Sequence, residues 1–497
     1  MSKSIMFLGT GSDVGKSVAV AAFCRIFKRR GFRVALFKAQ NMSNNSYVTI
    51  EGGEIGRAQA VQAEAACILP SVHMNPVLLK PSSETGAQIV LQGKVFGNMG
   101  AVEYDKFKPK LKRAIMESFQ HLTKEHDMIV MEGAGSCCEM NLKKNDLVNL
   151  NLAVSVGSPC ILVADIDKGG VFAQIIGTYN LMSRKERQLV IGFLINKFRG
   201  DPTLFASGIK YIEDKTGKPI LGLVPYYHDI YIDPEDSVAI QKDRKKMKPL
   251  GADRINIAVL SLPCISNFTD MEIIAREEDI VLNYISSPVE LSVGYDCLII
   301  PGTKNVMESA VWVTRTGWRH AIRQFADKKH VFGICGGYQL MGKRVVDPHG
   351  VESPQKAITA LDLLPVETLL EEEKIVRKIS GLCALNGGRV TGYEIHMGRT
   401  KVLGETGERY LNIRESGKRK LCKDGWSVES GRIAGTYVHG IFDNPSFRGK
   451  FLNNLRRIKG IEEKKPLAKG SSRFLQYDRL ADHFERYCDV ESIIASL

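Results

Sequence analysis

The chain has 497 residues, which is enough for two or three domains at about 150 residues each. Apolar residues make up 44% and charged residues 25%, an ordinary globular composition that excludes a disordered, collagen-like or low-complexity protein. The 68 basic and 55 acidic residues leave a formal net charge of +13. This charge favours anionic partners without choosing among nucleic acid, lipid and polyanionic small molecules.

The cysteine content and the apolar segments are typical of a soluble protein in a reducing compartment. The 11 cysteines do not form a disulfide framework in a chain of this length, and no pair has zinc-site spacing. Glycines and polar residues over 9–16 interrupt any signal-peptide core, and the apolar stretch 147–164 contains asparagine, serine and proline. We therefore expect a cytoplasmic protein with no membrane partner.

Short apolar runs alternate with amphipathic stretches through the first half of the chain. Such alternation is typical of a buried parallel sheet covered by helices. The predicted strands are 5–8, 33–37, 128–131, 160–164, 190–195 and 219–224. The predicted helices are 15–30, 57–68, 104–125, 170–182 and 203–215. These elements predict an α/β domain over residues 1–231.

The apolar pattern stops between residues 232 and 253, and a second α/β pattern follows over 254–445. The break contains the charge run QKDRKKMK at 241–248 with prolines near both ends, which indicates an interdomain linker; a solvated basic helix end is the alternative. In the second pattern the predicted strands are 255–262, 297–300 and 331–334, the predicted helix is 305–327, and short strands and turns follow residue 381.

The last segment, 446–497, is predicted as a C-terminal helical extension. Residues 472–497 have the pattern of one amphipathic helix. Its apolar residues on or near one face are Leu480, Phe484, Tyr487 and Ile493.

A glycine-rich loop, GTGSDVGKS over 9–17, lies between the first predicted strand and helix. In such loops backbone N–H groups surround a phosphate, the lysine contacts the β- and γ-phosphates, and the serine binds Mg²⁺. The spacing is one residue longer than the common pattern and is similar to that of dethiobiotin synthetase-like P-loop proteins. A plain glycine-rich turn is the alternative. The predicted nucleotide-binding residues here are Thr10, Gly11, Asp13, Gly15, Lys16 and Ser17.

Two polar residues at strand ends are candidates for the same site. Glu132 follows strand 128–131 and is predicted to bind a metal ion together with Ser17, with a surface acid as the alternative. Asn196 follows strand 190–195, where its amide can contact a nucleobase edge or cap a turn.

The second domain contains the sequence VFGICGGYQ over 331–339, which has the pattern of a nucleophile elbow with cysteine in place of serine. Small residues fit the tight turn, and the following helix N-terminus favours the thiolate of Cys335. The predicted oxyanion donors are Gly336 and Gly302. The predicted base is His439, in TYVHGIF over 436–442. A buried inert thiol and a structural histidine are the alternatives.

These motifs, in this order, resemble those of the class I glutamine amidotransferases, and in particular the cobyric acid synthase branch of that family. The resemblance covers nearly the whole chain. Besides the loop and the elbow it rests on the segments 37–46, 54–65, 74–81, 146–149, 164–172, 196–201, 392–398 and 437–442. It implies a P-loop parallel-sheet domain followed by a class I amidotransferase domain of flavodoxin-like α/β fold.

The resemblance also implies an activity. The first domain would activate carboxylates with ATP and Mg²⁺, and the second would hydrolyse glutamine through Cys335 and His439 to supply ammonia. The implied substrate is adenosylcobyrinic acid a,c-diamide, amidated at its b, d, e and g carboxylates to adenosylcobyric acid. These small molecules are the implied partners, with no nucleic acid; a homo-oligomer is left open.

The resemblance further implies corrinoid or metal contacts by polar residues of the first domain. Helix capping and interdomain packing have equal weight for each of these residues. They are Gln40, Asn41, Ser43, Asn45, Gln59, Asp146 and Asn149.

Two places depart from the family pattern. One is SCCE over 136–139, where the family usually has a small residue, proline and alanine, and we expect no loss of activity from it. The other follows the predicted base. Many class I amidotransferases have glutamate two residues after the catalytic histidine, where this chain has Ile441. We therefore predict a Cys–His dyad whose imidazole is oriented by a backbone group or by a remote residue such as Glu394.

Three other functions share parts of the pattern. The related cobyrinic acid a,c-diamide synthase has the same architecture and differs only in its substrate segments. A P-loop partitioning-type ATPase with an inactive glutaminase-like domain would not need Cys335 and His439. A nucleic-acid binder would need a clustered basic face with aromatic residues, and the one dense basic run is the predicted linker.

Overall fold

The computed structural model describes residues 2–82, 86–227, 229–233, 247–291, 294–467 and 471–497. Residues 234–246, the larger part of the predicted linker, lie outside this description. All 11 cysteines lie within it and have free thiols. In the described part of the chain no helix is both long and apolar enough to cross a membrane.

A six-stranded parallel sheet forms the centre of the first domain, in the order β12-β11-β10-β1-β9-β2. The strands of this domain are β1 (Lys3–Gly9), β2 (Val34–Phe37), β3 (Gln40–Met42), β4 (Ser46–Val48), β5 (Glu54–Gly56), β6 (Val77–Pro81), β7 (Gly86–Leu91), β8 (Lys94–Gly100), β9 (Met128–Glu132), β10 (Cys160–Asp165), β11 (Val190–Phe198) and β12 (Ile220–Pro225). Its helices are α1 (Lys16–Arg29), α2 (Arg57–Ala65), α3 (Ala101–Glu125), α4 (Leu150–Val156), α5 (Val171–Leu181), α6 (Arg184–Leu189) and α7 (Ala206–Thr216).

The central sheet confirms the six strands predicted from continuous apolar runs. Nearly every residue of β1, β2, β9 and β10 is buried, as expected for strands with helices on both faces. The glycine-rich loop follows β1, and Glu132 is the last residue of β9. Because β1 and β9 are paired in parallel, the loop and Glu132 lie at the same edge of the sheet.

A smaller sheet in the order β3-β6-β7-β8 and the hairpin β4–β5 were not predicted. Strands β3, β4 and β5 have only three residues each and include polar residues such as Gln40, Ser46 and Glu54. Such short polar strands have no hydrophobic periodicity to detect. Together these elements carry polar side chains to the boundary with the second domain.

The second domain is built on a mixed sheet. Its strands are β13 (Ile255–Leu260), β14 (Ile280–Ile285), β15 (Cys297–Ile300), β16 (His330–Ile334), β17 (Arg344–Val346), β18 (Ala357–Thr359), β19 (Val366–Cys383), β20 (Arg389–Val402), β21 (Glu408–Glu415), β22 (Leu421–Val428) and β23 (Ile433–Thr436). The helices from here to the C-terminus are α8 (Glu272–Ala275), α9 (Val306–Arg315), α10 (Trp318–Ala326), α11 (Gly336–Leu340), α12 (Pro445–Lys459), α13 (Ser471–Tyr487) and α14 (Val490–Ala495).

The parallel part of this sheet has the order β14-β13-β15-β16-β23. Numbered along the chain, that is the 2-1-3-4-5 order of flavodoxin-like folds, which confirms the predicted fold class. Strands β22, β21, β19 and β20 extend the sheet in antiparallel fashion. The expectation of only short strands after residue 381 was wrong, since β20 has 14 residues.

Two predicted helices are each divided in two. The helix predicted over 305–327 breaks at Gly317. This glycine has a left-handed φ of 81° and separates α9 from α10. The helix predicted over 472–497 breaks after Tyr487, because Cys488 pairs with Gly222 and the Asp489 N–H donates to the Leu221 carbonyl. Asp489 then caps α14. In both cases a tertiary contact or a glycine overrides a continuous amphipathic pattern.

Residues 446–497 divide between the two hydrophobic cores. From α12, Phe447, Leu452 and Leu455 are buried in the core of the second domain. From α13 and α14, Leu480, Phe484 and Ile493 are buried in the core of the first domain, whereas Tyr487 is only partly covered. The C-terminal helices therefore return to the N-terminal domain.

Truncation of Phe484 tests this assignment of the C-terminal helix. Phe484 is 1% exposed and packs with its ring centroid 6.3 Å from that of Phe23 on α1. We expect Phe484→Ala to lower the free energy of unfolding of the first domain by about 3–5 kcal/mol. Unfolding is followed by circular dichroism, and separately by tryptophan fluorescence, which reports on the second domain because all 3 tryptophans lie there.

Leu475→Ala on the same helix is the matched control. Leu475 is 49% exposed, so its truncation should change the free energy by no more than about 0.5 kcal/mol. An equal effect of the two variants, or a shift confined to the fluorescence transition, would contradict the assignment of α13 to the first core.

Candidate active sites

The conformation of the glycine-rich loop is fixed by hydrogen bonds from its own lysine and from an asparagine on β11. Gly15 has a φ of 101°, and a Cβ atom there would lie 2.1 Å from Nδ2 of Asn196. That Nδ2 donates to the Val14 carbonyl at 2.9 Å, so Asn196 supports the loop. Lys16 Nζ donates to the carbonyls of Gly11 at 3.0 Å and Gly135 at 2.8 Å.

Glu132 is the centre of a buried polar cluster beside this loop. It is 1% exposed, and its Oε1 accepts from Ser17 Oγ at 2.7 Å and from Lys38 Nζ at 2.8 Å. Its Oε2 accepts from Gln62 Nε2 at 2.5 Å. The structure thus brings together the predicted pair Ser17 and Glu132, whose hydroxyl and carboxylate oxygens suit Mg²⁺.

Lys38 is a member of this cluster that the sequence analysis missed, whereas Gln62 lies in the segment 54–65 that carries the resemblance but was not assigned to Glu132. Lys38 directly follows β2, which pairs with the strand that ends in Glu132. A lysine at that strand end, on the same sheet edge as the loop, is a signal that could have identified it. Gln62 lies on α2 and carries no comparable signal, because its neighbour in space is 70 positions away.

The other two loop residues make contacts within the first domain. Thr10 Oγ1 donates to Gln174 Oε1 at 3.2 Å. Asp13 has a φ of 58°, and its carbonyl accepts from Lys197 Nζ at 2.6 Å. Lys197 also pairs with Asp165 at 2.7 Å. These contacts connect the loop to the ends of β10 and β11.

The predicted substrate residues fall into separate groups. Gln40 accepts from the hydroxyl of Tyr104, and Asn41 Nδ2 donates to Gln59 Oε1 at 2.9 Å. Gln59 Nε2 is buried, with no hydrogen-bond partner among the described residues.

Ser43 and Asn45 lie at the boundary between the domains. Ser43 Oγ accepts from the Asn45 N–H at 3.0 Å, and Asn45 Oδ1 accepts from Thr269 Oγ1 of the second domain at 3.2 Å.

Asp146 and Asn149 form a structural turn next to the polar cluster. Asp146 accepts from the N–H groups of Val148 at 3.2 Å and Asn149 at 2.8 Å. The Asn149 amide pairs with both the N–H and the carbonyl of Ala134, each at 3.0 Å. Ala134 lies in the turn after Glu132, so these contacts position that turn.

The nucleophile elbow has the strained geometry that its sequence predicts. Cys335 has φ 52° and ψ −109° between β16 and α11, a conformation that is costly for a residue other than glycine. A Cβ atom on Gly336 would lie 2.8 Å from the Thr303 nitrogen. One on Gly302 would lie 3.2 Å from Cε1 of His439. The predicted residues Cys335, His439, Gly302 and Gly336 are therefore close together.

The group that orients His439 is a remote residue, as one predicted alternative had it, but this residue is Asp270 and the named example, Glu394, was wrong. His439 Nδ1 lies 2.7 Å from Asp270 Oδ2, and the Gly440 N–H donates to Asp270 Oδ1 at 2.8 Å. Glu394, the residue suggested from the sequence, is instead paired with Arg377. Asp270 is 169 positions away in a short turn without a motif, so no local signal identified it.

Charge around His439 favours its protonated form. Burial alone would lower the pKa of His439, but the negative charges of Asp270 and Cys335 and its hydrogen bonds to both raise that pKa to about 10. The imidazole is therefore a cation at neutral pH, and it lies beside the Cys335 side chain.

Residues of both domains line the pocket at Cys335. The first domain contributes Lys80 and Gln88. The second domain contributes Lys304, Gln339, Glu352, Lys374 and His396, besides Cys335 and His439.

A buried carboxylate connects the two halves of this pocket. Glu54 accepts from Lys80 through Oε1 and from Lys374 Nζ at 2.5 Å through Oε2. Lys374 Nζ also donates to Gln88 Oε1 at 3.0 Å. The first domain thus forms one wall of the Cys335 pocket.

Comparison with known proteins agrees with this two-domain architecture. Residues 5–239 match the model of the CobQ/CobB/MinD/ParA nucleotide binding domain, and residues 256–447 match that of the CobB/CobQ-like glutamine amidotransferase domain.

Curated relatives named cobyric acid synthase match almost the entire chain. The protein of Syntrophobacter fumaroxidans is 45% identical over 99% of this chain and 98% of its own length. Those of Chlorobaculum tepidum and of Chlorobium phaeobacteroides strain DSM 266 are 44% and 46% identical, over 99% of this chain and 97% and 96% of their own lengths. The chain therefore belongs to the cobyric acid synthase family, amidating ligases of cobalamin synthesis in which a nucleotide-binding domain precedes a glutamine amidotransferase domain.

Proposed function

We propose that the chain uses ATP and glutamine to amidate the b, d, e and g carboxylates of adenosylcobyrinic acid a,c-diamide. The observation that carries this proposal is that the Cys335 pocket is walled by Lys80 and Gln88 of the nucleotide-binding domain. Ammonia in neutral water is mostly ammonium, which is not a nucleophile. Release of ammonia at the domain boundary would shorten its path to the activated carboxylate and limit its protonation by solvent.

Glutamine hydrolysis begins with attack of the Cys335 thiolate on the carboxamide carbon. The Gly336 N–H, with the Gly302 turn beside it, would stabilise the resulting oxyanion. The His439 imidazolium gives its proton to the departing ammonia, and the neutral imidazole then takes a proton from the water that cleaves the thioester. Asp270 keeps the proton on Nδ1, so that Nε2 is the atom that exchanges it.

Two side chains of opposite charge suit the zwitterionic end of glutamine. Lys304 and Glu352 both line the Cys335 pocket. Burial lowers the pKa of Lys304, and burial raises that of Glu352 to about 7 despite N–H donors from Val306 and Met307. An α-carboxylate beside Lys304 and an α-ammonium beside Glu352 would stabilise the charged form of each group.

In the first domain a carboxylate oxygen of the corrinoid attacks the γ-phosphorus of ATP, and ADP leaves. Ammonia then attacks the acyl phosphate carbon, and inorganic phosphate leaves with the former carboxylate oxygen. Lys16 balances phosphate charge during transfer. When bound, Mg²⁺ neutralises further phosphate charge, and Ser17 and Glu132 are the residues that would hold it. Lys38 is then placed to balance the remaining charge on Glu132.

Mass spectrometry of the corrinoid product tests the whole proposal. With ATP, Mg²⁺ and glutamine we expect four successive amidations of the a,c-diamide. Cys335→Ala should lose the reaction with glutamine and keep it with ammonia, because the variant removes only the thiol. Amidation of cobyrinic acid but not of its a,c-diamide would instead support an a,c-diamide synthase, and no mass change with either nitrogen source would refute the corrinoid assignment.

Asp270→Asn tests the orienting role of the buried carboxylate. The variant removes the charge that holds His439 protonated, so the pKa of His439 should fall from about 10. By analogy with other catalytic triads we expect kcat for glutamine hydrolysis to fall about 10³-fold or more, with ammonia-dependent amidation unchanged. Glu394→Gln is the matched control, and a larger loss in that variant would instead identify Glu394 as the orienting residue.

Glu132→Gln tests the metal-binding assignment. The neutral amide keeps the size of the side chain but is a poorer Mg²⁺ ligand, so the Mg²⁺ concentration for half-maximal amidation should rise at least about 10-fold. Asp167→Asn, two residues beyond the end of β10 and 38% exposed, is the control and should leave the Mg²⁺ requirement unchanged. Equal Mg²⁺ requirements in Glu132→Gln and the unaltered enzyme would contradict the assignment.

A further inference from the structure

His396 carries an unpaired buried nitrogen in the wall of the Cys335 pocket. The residue lies on β20 and is 7% exposed, and its Nε2 has no hydrogen-bond partner in the part of the chain that the structure describes. Leaving a polar atom buried and unpaired costs about 1–3 kcal/mol. A partner supplied by a ligand would remove that cost.

Contacts on the other side of the ring determine which nitrogen carries the proton. His396 Nδ1 lies 2.8 Å from the carbonyl of Gly398, which only accepts, so Nδ1 is the donor. The ring also stacks on Tyr437, with centroids 3.7 Å apart and planes at 15°. His396 is therefore locked in one orientation, and Nε2 has a lone pair but no hydrogen.

The surrounding charges keep this ring neutral. Burial, together with the positive charges of Arg377, His439 and Lys374, lowers the pKa of His396 to about 3 despite the Gly398 contact. The Glu394 carboxylate is 3.9 Å from Nε2, too far for a hydrogen bond, and is paired with Arg377. Nε2 is thus an acceptor at any physiological pH.

We propose that Nε2 of His396 accepts a hydrogen bond from the carboxamide N–H of bound glutamine and thereby selects the amide over the acid. This inference rests on the proposed glutaminase function of Cys335. The thiol lies 3.5 Å from the carbonyl of Ile395, the residue before His396, so a carboxamide at Cys335 lies against this strand. Glutamate, the product, has no N–H to offer, and its carboxylate would face the lone pair of Nε2. His396 therefore disfavours the product and assists its release.

Two substitutions separate this role from a structural one. In His396→Asn the amide nitrogen can keep the bond to the Gly398 carbonyl, but no atom remains at the position of Nε2. In His396→Gln the amide oxygen can reach the position of Nε2, but the bond to Gly398 is lost. We expect His396→Asn to lower kcat/KM for glutamine by about 10- to 100-fold and His396→Gln to lower it less. A structural role for the ring predicts the opposite order.

Affinity for the product provides the second measurement. In the Cys335→Ala background, which binds without hydrolysis, calorimetry with glutamine and with glutamate gives the ratio of their dissociation constants. Adding His396→Asn should reduce the preference for glutamine at least about 10-fold. The proposal is overturned if His396→Asn keeps both its kcat/KM and its preference, or if both variants lose glutamine use equally.

Ammonia-dependent amidation separates a failure of this inference from a failure of the proposed function. All His396 variants should retain it, because the first domain performs that reaction. If the unaltered enzyme amidates nothing with ammonia, or if Cys335→Ala still uses glutamine, the proposed function fails. If the unaltered enzyme behaves as proposed and only the His396 variants do not, this inference alone is wrong.

Discussion

The contact between the two domains depends on the buried carboxylate of Glu54. It is 1% exposed and is held by Lys80 of its own domain and Lys374 of the other. A carboxylate at such a depth is stable only when it is paired, and the two lysines keep its pKa well below the usual range even though burial opposes this. Because Lys80 lies on β6 of the first domain and Lys374 on β19 of the second, this cluster holds the two strands together at the Cys335 pocket.

The same principle recurs at both centres. A reactive group follows a buried parallel strand, and charged or polar partners arrive from a different part of the chain. Glu132 ends β9 and is balanced by Lys38, whereas His439 follows β23 and is balanced by Asp270. The strand ends fix the positions of the reactive groups, since hydrogen bonds in the sheet hold them rigidly. The partners carry the opposite charge, which a buried group needs if it is to stay ionised.

Local patterns were sufficient to predict the sheets, the loop and the elbow. Continuous apolar runs predicted the six central strands, and glycine spacing predicted Gly15 and Cys335, whose φ values of 101° and 52° are the unusual conformations that such turns need. The three-residue strands β3, β4 and β5 had no such pattern. The breaks at Gly317 and after Tyr487 were also missed, because an amphipathic pattern continues across both.

The sequence by itself determined the fold class, the family and the positions of the glycine-rich loop and the cysteine elbow, because each depends on residues that are neighbours along the chain or in one strand–loop–helix unit. Only the tertiary structure decided that Asp270 orients His439, that Glu54 joins the domains, and that His396 has an unpaired acceptor. These properties depend on contacts between positions 169 or 320 residues apart, or on the burial of a single atom. Periodicity and motif spacing contain no information about such contacts, since they arise when separate elements pack together.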